Sequence, residues 1–259
     1  MNEQALRERI CQIGRLMHEK GFIDGTSGNI SARLDDRHIL ATPSGLAKGF
    51  MQPEQLIVVD MDGQRVDRPT AETAHLRPTS ELSMHLECYR QRPDVGGVVH
   101  AHPPNAVALT IAGYDFQRCL IPEVVVLLGI VPTTPYATPS STENRDAIRH
   151  LIREHDAILL AYHGSLTVGA TVWDAYMRLE SLEHSAHILY KVETLGGPKS
   201  SIAPEQVEKL MAQREKLGLS RDGDMQRFAQ FCGVGKNHDL EQQVRDVVRE
   251  VLAQLLDEF

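Results

Sequence analysis

No stretch of this 259-residue chain reaches the roughly 20 uninterrupted apolar residues needed to span a bilayer. Cysteine is scarce. Its four positions, Cys11, Cys88, Cys119 and Cys232, are widely scattered and form no CxxC pair. That spacing excludes a thiolate zinc cluster and predicts free thiols in a reducing compartment. Basic blocks and basic-aromatic stripes are also missing, and the net charge is −8, so nucleic acid and anionic membranes are poor partners. Neither a Walker loop nor a dinucleotide glycine fingerprint occurs, and no nucleotide cofactor is implied. The opening residues, Met1-Asn2-Glu3-Gln4, lack the apolar core of a signal peptide. These absences together lead us to expect a soluble cytoplasmic protein.

What is present suits one large domain with an appended tail. Apolar residues at helical spacing (Leu6, Ile10, Ile13, Leu16, Met17) predict a helix over 3–20, stopped by Gly21. Short strands are predicted at 29–34, 38–41, 56–60, 96–102, 157–161 and 165–169, and 124–128 and 130–133 also look β-like. Helices are predicted at 81–90, capped by Thr79 or Ser80, and at 105–112, 142–154 and 172–195. The class is α/β with a mixed sheet. After Gly196-Gly197-Pro198 the composition turns polar and helical. The tail ends in an amphipathic stripe of Val244, Val247, Val248, Val251, Leu252 and Leu255 that must cover something. We therefore divide the chain into a catalytic domain, 1–198, and a helical extension, 199–259, packing on the core or on a neighbouring subunit.

The most informative feature is a pair of histidines, His100 and His102, closing the apolar run 95–99. Residues i and i+2 of a strand share a face, so both imidazoles emerge side by side at a strand end. A third, His163, follows another apolar run, and Glu81 can add a carboxylate. Three neutral imidazoles with an open fourth position describe a catalytic zinc site rather than a closed structural one. Three small polar loops, 26–29, 42–45 and 78–81, offer hydroxyls and backbone donors suited to phosphate, with Lys48 near enough to add a cation. His184, His187, Glu180 and Glu183 share one helix and are read as a solvated or intersubunit face, and His85, one turn after Glu81, as a supporting contact.

The ordered set Gly28-Asn29-Ile30-Ser31, Thr42-Pro43-Ser44-Gly45, Ser80-Glu81, His100-Ala101-His102, Pro135-Tyr136-Ala137 and His163-Gly164 resembles the class II aldolase/adducin family, most of all its fuculose-phosphate aldolase branch. The resemblance covers about residues 5–195. It implies a three-layer α/β/α sandwich on a mixed, largely antiparallel sheet, and a homotetramer with sites between subunits. By resemblance, His100, His102 and His163 ligate Zn²⁺, or another divalent metal such as Mn²⁺. Glu81 is the acid/base that also ligates the metal, and desolvation is expected to raise its pKa. Asn29, Ser44, Gly45, Thr79 and Ser80, with Gly28 beside them, form the phosphate pocket. That branch takes the alcohol proton with a tyrosine upstream of the Pro-Tyr-Ala-Thr loop. The matching stretch here, 121–125, has none, which leaves Glu123 or Tyr136, unless Tyr136 merely packs its loop. The implied reaction cleaves a phosphorylated ketose to dihydroxyacetone phosphate and an aldehyde. Alternatives on the same fold are a decarboxylase of a 3-oxo sugar-acid phosphate, a ribulose-phosphate epimerase, a methylthioribulose-phosphate dehydratase and a non-catalytic association domain.

Overall fold

In the computed structural model of the protein, residues 2–114, 116–235, 248 and 249 are described. Helix α1, Glu3–Glu19, starts at Asn2, whose side-chain oxygen accepts from the Ala5 amide. Among the described residues seven strands follow in one sheet: β1, Asn29–Arg33; β2, His38–Ala41; β3, Ile57–Asp60; β4, Gly97–Ala101; β5, Thr133–Thr134; β6, Ala157–Leu160; and β7, Gly164–Gly169. Their spatial order is β3-β2-β1-β4-β7-β6-β5. Only the β5–β6 pair is parallel; every other neighbour is antiparallel.

Alternation along the strands decides which face each side chain covers. Ile39, Ala41, Ile57, Val59 and Val98 pack with helix α2 (Leu82–Gln91) and Ile148 of α4 (Thr142–Ile148). Leu40, Val58, Val99 and Ala101 point the other way, toward α1 and the long helix α5 (Val172–Thr194). Both faces are covered, which is why the strands read as apolar runs rather than as clean alternation. The result is the expected three-layer sandwich. Helix α3, Pro104–Ile111, packs through Ala106 and Leu109 against Leu182, Ala186 and Leu189 of α5.

Several local expectations are corrected. The run 124–128 is a π-helical turn, Val124–Leu128, not a strand, and of 130–133 only Thr133 is in a strand, the two-residue β5 it forms with Thr134. Its β-branched residues suggested extension. Instead Val124 and Leu128 pack on the α5 side and Val125 packs against the extension, so the turn is buried on two sides. Gly129, at φ +75°, ends it. The helix predicted over 142–154 stops at Ile148 and resumes as a 3-10 turn, Leu151–Arg153. Helix α2 begins one residue late, with Glu81 itself as its N-cap.

Cysteine supplies the largest correction. Cys119 and Cys232 are joined by a disulfide across 113 residues, leaving Cys11 and Cys88 free and buried. The scattered spacing therefore does not mean four free thiols, and it carries no argument for a reducing compartment. The bond ties α7 (Asp224–Cys232) to the segment before the π-helical turn. Val207 of α6 (Pro204–Lys216), Phe228 and Val234 pack on Val125 and Ile130 at the same place. Of the terminal stripe, Val248 is exposed, while Val244, Val247, Val251, Leu252 and Leu255 lie outside the described residues. No described helix is long and apolar enough to cross a membrane.

Candidate metal and catalytic site

The site lies at one end of the sheet, where β1 begins, β4 ends and the β6–β7 turn closes. Asn29 pairs with His100 across β1 and β4, and Leu166 pairs with His100 across β4 and β7. Glycine permits these approaches. A Cβ on Gly164 would sit 2.3 Å from the Ala101 carbonyl oxygen and about 3 Å from both neighbouring imidazoles, His100 and His102. Gly28, at φ +69°, would place one 2.6 Å from Ile23.

His100 Nδ1 lies 2.8 Å from the Ser165 carbonyl, which can only accept, so Nδ1 carries a proton and Nε2 is the nitrogen turned to the cluster. That Nε2 is 3.1 Å from Nε2 of His102 and 3.1 Å from Glu81 Oε2. His163 Nε2 is 3.6 Å from Glu81 Oε1. One donor atom from each of these four residues lies within 4.8 Å of the others, and no other cluster of this kind occurs among the described residues. Donors about 2.0–2.1 Å from a tetrahedral ion would be about 3.3 Å apart, close to the shorter separations here. Glu81 Oε1 is buried without a hydrogen-bond partner. An orphaned carboxylate oxygen beside three converging imidazoles fits a divalent cation.

Burial pushes the imidazoles of His102 and His163 down to about 4, with the neighbouring His100 adding to the effect, so both are neutral donors at pH 7. Glu81 departs from expectation. Burial does act to raise its pKa, but the charge and hydrogen bond of His100, the Asn29 amide and His163 outweigh it. The carboxyl is held below the usual range and is ionised. Lys48, also buried, has its Nζ donating to the Thr26 carbonyl at 2.6 Å. Desolvation depresses it to about 8, with Glu81 partly opposing.

The three polar loops come together. The Ile30 amide donates to Thr42 Oγ1, Pro43 bridges to Pro78, and the Ser44 amide donates to the Arg77 carbonyl. Ser44, Gly45 and Ser80 are exposed there, and Ser140 Oγ donates to Ser80 Oγ at 2.9 Å. Thr79 is buried, its hydroxyl 3.4 Å from the Glu81 amide. The Asn29 side chain is turned inward, donating to Glu81 Oε2 at 2.9 Å and accepting from His85. Tyr136 is 62% exposed, its ring 6.2 Å from that of Tyr162, the residue before His163. Tyr162 escaped sequence reasoning; it stands at φ +62° on the turn that presents His163. Glu183, read above as part of a solvated or intersubunit face, is buried within the subunit and accepts from the Asn105 and Ala106 amides at the start of α3.

A seven-stranded α/β/α sandwich with a three-histidine, one-carboxylate cluster at one end of its central strands defines a scaffold with a candidate metal site. The model for the Class II Aldolase and Adducin N-terminal domain matches residues 8–190, and the chain belongs to that family. It is 32% identical over 192 residues to the 3-oxo-tetronate 4-phosphate decarboxylase of Escherichia coli K12, covering 73% of this chain and 87% of that one. It is also 32% identical over 206 residues to the 5-methylthioribulose-1-phosphate/5-deoxyribulose-1-phosphate aldolase of Escherichia coli O45:K1, covering 74% and 93%. The crystal structure of YgbL from Klebsiella pneumoniae superposes with a TM-score of 0.71 at 30% identity, covering 81% of this chain and 99% of that one. These relatives mark the chain as an enzyme of a family that works with a divalent metal ion on sugar phosphates.

Proposed function

We propose that the protein is a metal-dependent aldehyde-lyase cleaving a phosphorylated ketose to dihydroxyacetone phosphate and an aldehyde. One observation carries the reading: a buried Glu81 with one oxygen lacking any hydrogen-bond partner, beside three converging imidazoles. His100, His102 and His163 would hold zinc, or manganese, with Glu81 as a fourth donor when substrate is absent. An ion held there would polarise a ketone and offset negative charge developing on its oxygen.

In the condensation direction, Glu81 removes a hydroxymethyl proton from dihydroxyacetone phosphate, and in cleavage it returns that proton to the same carbon. At the other end of the breaking bond the alcohol must lose its proton, and the phenol of Tyr136, with Tyr162 beside it, stands at the rim for this. Ser44, Gly45, Thr79 and Ser80 take the phosphate, near Gly28 and Asn29. Residues 1–198 form the catalytic unit and 199–259 its extension, within a cytoplasmic homotetramer.

A second reading, decarboxylation of a 3-oxo sugar-acid phosphate, is favoured by Lys48. It places a cation in electrostatic contact with Glu81, where a substrate carboxylate needs one. The absence of a tyrosine at 121–125 also suits a reaction with no alcohol proton to remove. The metal-loaded protein should be given 5-deoxyribulose 1-phosphate, fuculose 1-phosphate and 3-oxo-tetronate 4-phosphate in turn. Dihydroxyacetone phosphate with an aldehyde supports the lyase reading. Release of CO₂ from the 3-oxo acid alone replaces it with the second, and no turnover of any of the three sinks both.

A further inference from the structure

A buried chain of hydrogen bonds leads from the interior to Glu81. The Tyr89 hydroxyl is 2.8 Å from Ser31 Oγ, and Ser31 Oγ is 2.7 Å from His85 Nδ1. His85 Nε2 is 2.6 Å from Asn29 Oδ1, and Asn29 Nδ2 is 2.9 Å from Glu81 Oε2. All five residues are buried.

The Glu81 end dictates the direction of every bond. Asn29 Nδ2 is the atom set against Glu81 Oε2, so the amide NH₂ donates to the carboxyl. The Asn29 carbonyl then faces His85, whose Nε2 must carry the proton. Burial keeps that imidazole neutral, pushing it down to about 3, with His100 adding and Glu81 opposing. A neutral ring protonated on Nε2 has a lone pair on Nδ1, which accepts from the Ser31 hydroxyl. Ser31 has then spent its one proton, so Tyr89 donates to it. Reversing any one link would set a carbonyl oxygen against the Glu81 carboxylate. The chain thus has a single consistent polarity.

We infer that His85, Ser31 and Tyr89 are positioning residues that lock the Asn29 amide with its NH₂ toward Glu81, anchoring Oε2 beside His100 and leaving Oε1, on the His163 side, without a hydrogen bond. Oε1, 3.6 Å from His163 Nε2, is the oxygen left without a hydrogen bond. It is therefore the one free to carry the proton. The inference rests on the reading of Glu81 as the proton-transfer group.

Long-range ¹H–¹⁵N spectra of the metal-loaded protein read the tautomer directly. They should show His85 neutral, protonated on Nε2, with a pyridine-type Nδ1. An Nδ1–H tautomer, or an imidazolium at pH 7, overturns the inference. His85→Phe and Ser31→Ala should lower kcat about 10- to 100-fold with KM within about threefold, and should weaken Zn²⁺ binding in a competition titration by a similar factor. His85→Gln, whose amide can donate to Asn29 and accept from Ser31, should recover part of the loss. Variants that fold with unchanged kcat and unchanged Zn²⁺ affinity also overturn it. Should Glu81→Gln itself keep full proton transfer, it is the parent reading that fails; should Glu81→Gln lose it while His85→Phe does not, only this inference does. The tautomer measurement needs no variant to fold.

Discussion

Burial and charge pull the Glu81 carboxyl in opposite directions, and their balance decides its form. Desolvation alone would favour the protonated acid, but His100, Asn29 and His163 win. At the same scale, His102→Ala removes one of three imidazole donors and should abolish both stoichiometric metal content, read by elemental analysis, and activity. Full metal occupancy in that variant would show that the cluster is not the metal site. Ser44→Ala or Thr79→Ala should raise KM for a phosphorylated substrate about 10-fold, the scale of one hydrogen bond to a charged group, and hardly alter turnover of the unphosphorylated analogue. Equal losses on both substrates would leave these residues a structural role only. Lys48 gives a pH signature. Its folded pKa, about 8, lies below the ordinary 10.5, so between those values the unfolded chain binds more protons. Stability should therefore rise with pH across that window. Below it, the cost of the buried ammonium is fully present. Urea midpoints from pH 8 to 10 should rise in the wild type relative to Lys48→Met; parallel curves would refute the assignment.

At the scale of elements, the approach of the β6–β7 turn to the end of β4 depends on Gly164. Gly164→Ala would place a methyl 2.3 Å from the Ala101 carbonyl, against backbone that cannot swing aside. The expected cost is about 1–3 kcal/mol in urea unfolding, with weaker metal binding because His100 and His102 flank the same spot. An unperturbed variant would show that the turn has slack. Much of this end of the sheet was legible in the sequence. Apolar runs placed the strands, i,i+2 spacing brought His100 and His102 to one strand end, and His163 followed from its own strand end. The hydrogen-bonded chain behind Glu81 was also written there, as Glu81, His85 and Tyr89 at helical i,i+4 steps and Asn29 and Ser31 at a strand i,i+2 step, but only the known pairing of α2 with β1 joins the two series. Residues 124–128 were misread because β-branched residues suit any buried backbone. What made them helical was tertiary, namely α5 on one side and the extension on the other.

For the whole molecule, the extension is held to the sandwich by the Cys119–Cys232 bond, by the cluster around Val207 and Phe228, and by Arg214, which donates to Asp224 and to the Val126 carbonyl. A cross-link between residues 113 apart cannot be read from sequence spacing. Its removal, by Cys232→Ser, should cost roughly 2–4 kcal/mol, since closing so long a loop restricts the unfolded chain strongly. Four alkylatable thiols in the unreduced, denatured protein would contradict the bond. The metal cluster takes no ligand from the described residues of the extension, so metal content should survive the substitution. Above all these stands the claim that Glu81 moves the proton at carbon. The most direct measurement is exchange of the hydroxymethyl proton of dihydroxyacetone phosphate with deuterated water, followed by NMR in wild type and Glu81→Gln at equal metal content. The account predicts exchange about 10²- to 10⁴-fold slower in the variant, and equal rates would contradict it.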